Sequence, residues 1–182
     1  MKTLVTIAML GLSLPCLAQR SLIPTQPQVV KETVAAANET SELTKKFEAS
    51  KGKLQYPASG VVTDHFGKHP HPTTKGVEVD NAGVDITTVA NASVRSVFDG
   101  KVSSVFMTNK TQMVIVQHGA YFTVYTGLTS IGVKNGQSIV AGQELGIVAN
   151  DTEKKKSSIN FQVWRSKGEG TIKLNPEEWL KG

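Results

Sequence analysis

Three of the four histidines of this 182-residue chain, His65, His69 and His71, fall close together. The His-x-His spacing of 69 and 71 would put two imidazoles on one face of an extended segment, the arrangement of a metal-binding pair. Pro70 and Pro72 instead favour an irregular loop, and a surface or structural role is the reading adopted. His118, between an apolar run and Gly119, is expected to be a turn residue. Asp85, inside a β-prone run, offers a carboxylate that could serve a metal or accept hydrogen bonds. Lys154-Lys155-Lys156 is a charge run in a predicted loop, read as solvated, with contact to an anionic polymer as the alternative.

The elements that must position these groups begin after an N-terminal leader. Lys2, the apolar stretch Leu4 to Leu14 and the small residues around Cys16-Leu17-Ala18 fit a signal peptide over residues 1–18, cleaved after Ala18. That apolar core is well short of the roughly 20 residues a spanning helix needs. Cys16 is the single cysteine, and Pro15 before it is unsuited to lipoprotein processing; a mature chain beginning at Gln19 has no disulfide to stabilise it. No membrane span is expected after cleavage. Residues 19–53 carry Pro24, Pro27 and scattered apolar positions (Val30, Val34, Leu43, Phe47), which reads as a flexible linker with one short helix in it.

Residues 54–182 change character to short β-branched and aromatic runs separated by turn signals. Val94 to Phe98 and Lys101 to Phe106 flank Asp99-Gly100, a hairpin signal. His118-Gly119, Asn135-Gly136 and Gly142 punctuate the later runs. The fold class is therefore all-β, an open sandwich or barrel, with one helical turn at the end where Asn175 caps and Pro176 starts the turn. A net charge of +5 spread along the chain gives weak support for an anionic partner. It lacks the basic stripe with interleaved aromatics expected for nucleic acid, so no nucleic-acid partner is expected.

Six segments from Gly60 to Leu180, in order, resemble the LytM/lysostaphin-type zinc endopeptidases. They are Phe66-Gly67-Lys68-His69-Pro70-His71-Pro72, Gly83-Val84-Asp85-Ile86, Phe98-Asp99-Gly100-Lys101-Val102, Val116-Gln117-His118-Gly119 with Thr123-Val124-Tyr125, the glycine turns of 133–146, and Leu174-Asn175-Pro176 with Trp179-Leu180. The lipoyl-like sandwich shares the spacing of Asn135-Gly136 and Ala141-Gly142. Its acceptor lysine has no clear counterpart here.

What the resemblance implies about the site is mostly loss. The three zinc-ligand positions fall on Asn81, Asp85 and Asn160, and the two assisting-histidine positions on Gly127 and Ser158; only Asp85 keeps a family residue type. Catalytic zinc takes three good ligands and keeps one position for water, so two asparagines and one aspartate imply that zinc is lost, with no metal and no other cofactor. Glycine and serine cannot do the proton transfer of an imidazole. The resemblance thus implies a domain that is not an enzyme, with Asn81, Asp85, Tyr125, Gly127, Ser158, Asn160 and Gln162 lining a binding groove. In kind these departures resemble those of the EnvC-like murein hydrolase activators, whose long coiled coil this sequence does not show. The resemblance implies a periplasmic or envelope location and, as partner, a cell-wall amidase, with a peptidoglycan-binding module as the alternative. An active endopeptidase with unorthodox ligands is the remote third.

Overall fold

The computed structural model describes residues 28–70, 74–107, 111–150 and 157–182, the segment 28–37 for its backbone only. The leader at residues 1–18, His71, Pro72 and Lys154-Lys155-Lys156 lie outside the described residues. Among the described residues, no helix is long and apolar enough to cross a membrane.

Where a flexible linker with a short helix was expected, the chain forms one helix, α1 (Gln28–Ala49). Leu43 and Phe47, four apart, lie on one face, and tertiary packing supplies what the weak apolar periodicity does not. Phe47 is fully buried. Its ring stacks on His118 with centroids 4.9 Å apart and on Trp179 at 4.9 Å, meets Tyr121 at 5.0 Å, and is edge-on to Phe98 at 5.4 Å. Glu48 accepts a hydrogen bond from the Tyr121 hydroxyl at 2.8 Å and lies 3.3 Å from Arg165. The end of α1 is thus part of the domain, and the boundary at residue 53 does not separate it from the core.

Among the described residues twelve strands follow, running from β1 (Val61–Asp64), β2 (Gly67–Pro70), β3 (Glu78–Asn81) and β4 (Val84–Thr88) to β5 (Ser93–Arg95), β6 (Gly100–Met107) and β7 (Gln112–His118). The rest are β8 (Tyr121–Ile131), β9 (Ser138–Ile139), β10 (Glu144–Val148), β11 (Ser157–Lys167) and β12 (Gly170–Leu174). The main sheet runs β1-β4-β11-β8-β7-β6-β9, with β10 joined to β5 and β8, and β12 to β11; β2 and β3 form a separate ribbon. Alternation decides which face is inside: Ile159, Phe161 and Val163 of β11 point to the core, and Ser158, Asn160 and Gln162 to the other face. The all-β expectation holds, and the sheet is open, ending at β1 and β9.

Asp99-Gly100 does not make the expected hairpin. β5 pairs with β10, and β6 with β7 and β9. Gly100 is needed for close approach, since a Cβ there would lie 2.4 Å from the Gln117 carbonyl oxygen. Asp99 turns away to accept the Ala141 N–H at 2.8 Å. At the C-terminus the expected cap is present: the Asn175 side chain accepts the Glu177 N–H at 3.0 Å and opens the 3-10 turn Pro176–Glu178. That turn delivers Trp179 to Phe47.

Candidate functional site

The site is assembled where β3, β4 and β11 converge. β4 and β11 are antiparallel with Asp85 directly opposite Asn160, and directly opposed residues share a sheet face. Asn81, the last residue of β3, accepts the Gly83 N–H at 3.0 Å through its side chain, a local turn that swings the chain into β4. These two devices bring Asn81, Asp85 and Asn160 together from positions up to 79 residues apart.

Every carboxamide in the cluster has one orientation that satisfies its neighbours. The Trp164 indole N–H, which can only donate, bonds Gln162 Oε1 at 2.9 Å. Gln162 Nε2 donates to Asn160 Oδ1 at 2.7 Å. Asn160 Nδ2 then donates to Asp85 Oδ1 at 2.6 Å and to Asn81 Oδ1 at 2.9 Å. Asn81 Nδ2 donates to Asp64 Oδ2 at 3.0 Å, and Asp64 Oδ1 lies 2.6 Å from His69 Nε2. A donor-only indole at one end and acceptor-only carboxylates at the other fix the direction of the whole ladder.

Gly127 and Ser158 reach the same rim. At Gly127, β8 leaves its pairing with β11 and continues beside β10, with a register shift on its β7 side between Gln112 and Met113. The turn takes Gly127 to φ 87°, and a Cβ there would lie 2.6 Å from the Ser158 carbonyl oxygen. Any L side chain at this position is strained.

Tyr125 does not line the groove. It points to the opposite face, fully buried, with its hydroxyl accepting the Val97 N–H at 3.1 Å and its ring 5.4 Å from Phe161. Burial pushes its phenol above the usual value. Nor is His118 a turn residue: as the last residue of β7 it is buried, with Nδ1 2.6 Å from the Asp99 carbonyl and Nε2 2.8 Å from Thr123 Oγ1. Burial lowers its pKa to about 4, against smaller raising effects from Asp99. The clustered histidines separate, since His65 pairs with Glu177 at 2.8 Å while His69 turns to Asp64. Asp64 and Trp164 complete the ladder, and sequence reasoning left both outside the site. Asp64 arrives through the β1–β4 register, opposite Asp85, a relation with no local signature.

A family profile, Peptidase family M23, matches residues 79–175, more than half of the chain and all three cluster-forming positions. The chain belongs to this family. A protein of Haemophilus influenzae is 30% identical to this M23 chain over 90% of its length and 37% of the relative's own. Cell division protein DipM of Caulobacter vibrioides is 27% identical over 77% of this chain and 22% of DipM. The M23 chain therefore spans little more than a third of the first of these relatives and less of the other. A zinc-containing peptidase from Vibrio cholerae superposes with a TM-score of 0.55 at 25% identity, over 70% of this chain and 40% of that one. The fold is that of the LytM/lysostaphin-type peptidases.

Zinc, which that resemblance implies for active members, does not fit the residues present. Asn81, Asp85 and Asn160 supply one carboxylate and two neutral carboxamides, and Asn160 turns its N–H donors, not an oxygen, toward the other two. Among the described residues, no group of three or more His, Cys, Asp or Glu side chains is placed to hold a metal ion.

Proposed function

We propose that this M23 chain is a secreted, non-hydrolytic regulator that binds a cell-wall amidase through the cleft at Asn81, Asp85 and Asn160 and activates it during wall remodelling or daughter-cell separation. The observation that carries this reading is the Asn160 carboxamide: its N–H bonds to Asp85 and Asn81 fill with internal hydrogen bonds the place where three metal ligands would converge. Two carboxamides and one carboxylate are poor ligands for a Lewis acid, and the family's two assisting-histidine positions are Gly127 and Ser158, which cannot take the proton of an attacking water. A preformed, rigid polar floor is suited to recognition. The relative named for cell division, DipM, supports the cellular setting. The leader at residues 1–18 would deliver the chain to the periplasm or envelope.

The test is amidase activity on purified murein with and without the mature chain. Stimulation of an amidase from the same organism, with no release of murein fragments by the chain alone, supports the reading. Murein cleavage by the chain alone, or no effect on any of the organism's amidases, overturns it.

A further inference from the structure

Asn81 and Asp85 turn oxygens to the centre of the cluster, and Asn160 turns nitrogen. Asn81 is pinned from both sides: its Oδ1 accepts the Gly83 backbone N–H at 3.0 Å, and its Nδ2 donates to Asp64 at 3.0 Å. Asp85 brings a carboxylate oxygen to the same place, 2.6 Å from Asn160 Nδ2. Were the Asn160 carboxamide turned over, three oxygens would converge there.

What prevents this lies outside the positions the family uses for zinc and its assisting histidines. Asn160, Gln162 and Trp164 are alternate residues of β11 and share its outer face. A carboxamide is nearly the same shape in its two orientations, so hydrogen bonds decide between them. Asn160 Oδ1 accepts from Gln162 Nε2 at 2.7 Å, and Gln162 Oε1 accepts from the Trp164 indole at 2.9 Å. The indole cannot accept in return. Turning Asn160 alone would set its nitrogen against that of Gln162, and turning both would set the Gln162 nitrogen against the indole N–H. Either reversal leaves two donors face to face with no acceptor between them, which is costly in a partly buried site. As it stands the ladder is complete: among the described residues no buried side-chain nitrogen or oxygen lacks a partner.

Calcium and magnesium bind oxygens, carboxamide oxygens included, and N–H donors repel them. We infer that Trp164, acting through Gln162, is the positioning residue that excludes such cations from the cleft, and that releasing it opens a latent calcium site made by the oxygens of Asn81, Asp85 and Asn160. The cation would take over the contacts that Asn160 Nδ2 now makes, so the site calls on no unused capacity of Asp85 or Asn81. Loss of the histidines disfavours zinc, and the indole closes the cleft to the hard cations its remaining oxygens would attract. This inference goes beyond the regulator reading and does not depend on which partner the cleft binds.

The experiment titrates calcium chloride into the mature chain and its variants by calorimetry, with thermal unfolding to establish that each is folded. Trp164→Phe removes the indole donor and frees Gln162 to turn. Gln162→Glu replaces the donor facing Asn160 with a carboxylate, which draws the Asn160 nitrogen to itself and sends its oxygen toward Asn81 and Asp85. Thr171→Glu, at an exposed position of β12 off the ladder, controls for the added charge. The expected result is calcium binding at about 10⁻⁴–10⁻³ M in Gln162→Glu, at least about tenfold tighter than wild type, with Trp164→Phe between the two. Thr171→Glu should gain nothing, and adding Asn160→Ala to Gln162→Glu should abolish the gain.

Wild-type affinity in Gln162→Glu or in folded Trp164→Phe overturns the inference; should Trp164→Phe not fold, Gln162→Glu decides in its place. A gain that survives Asn160→Ala, or one that Thr171→Glu matches, also overturns it, because the added charge and not the turned carboxamide is then responsible. One readout needs no variant: in the wild type, NMR should find the Asn160 side-chain amide protons slow to exchange and unmoved by excess calcium. A calcium-dependent shift of those protons contradicts the inference. None of these outcomes involves an amidase, so the regulator reading stands or falls separately.

Discussion

Asn160 and Asp85 face each other across β11 and β4, and the Asn160 carboxamide donates to the Asp85 carboxylate at 2.6 Å. The same nitrogen donates to Asn81 at 2.9 Å. One side chain thus holds together the three positions that a zinc peptidase would use for metal.

Asn160→Ala should remove both bonds and leave the Asp85 and Asn81 oxygens without this donor. The expected cost is about 1–3 kcal/mol, read as a melting temperature lower by several degrees. Asn160→Asp should cost more at pH 7, because it sets two carboxylates face to face, and the difference should shrink in acid as they protonate. Equal stability of the wild type and Asn160→Ala would show that the ladder contributes nothing.

Restoring histidine at the family positions should not restore an enzyme. Asn81→His with Asn160→His recreates two imidazoles beside Asp85, and zinc binding measured by calorimetry should appear. Murein hydrolysis should not follow, because the assisting position is Gly127. Gly127→His meets the Ser158 carbonyl in a backbone conformation at φ 87° and should destabilise the fold by about 1–3 kcal/mol. Robust hydrolysis by the double variant would contradict this.

His118 gives the stability a defined acid dependence. Its folded pKa of about 4 lies below the ordinary 6.5, so between these values the unfolded chain binds the proton that the folded chain refuses. Its contribution is complete above pH 6.5 and is lost as pH falls toward about 4, by up to about 3 kcal/mol. Urea unfolding at pH 7 and pH 4 should show a smaller acid loss in His118→Gln than in wild type.

Phe47→Ala should cost about 3–5 kcal/mol by emptying the space between His118, Tyr121 and Trp179. Thermal unfolding measures it, and a chain beginning at residue 54 should be destabilised at least as much. Were residues 28–53 only a linker, neither change would matter.

Much of the strand framework was legible because its signals are local. The β-branched runs, the Asn175–Pro176 cap and the alternation of β11 can each be read within a few residues. The failures share a different cause. Phe47 looked like a stray apolar residue because the rings that bury it come from β6–β8 flanks and the C-terminus. Asp99-Gly100 looked like a hairpin because a close strand approach and a tight turn both call for glycine. Tyr125 was placed on the groove face, although one step along the strand puts it on the other side. Asn81, Asp85 and Asn160 were singled out by the resemblance to the zinc endopeptidases, but Asp64 and the Trp164 end of the ladder depend on strand register and side-chain orientation.

The most direct test of the central claim is the zinc content of the mature chain after equilibration with excess zinc and removal of free metal. The account predicts far less than one zinc per chain. One tightly held zinc per chain, lost on Asp85→Ala, would contradict it.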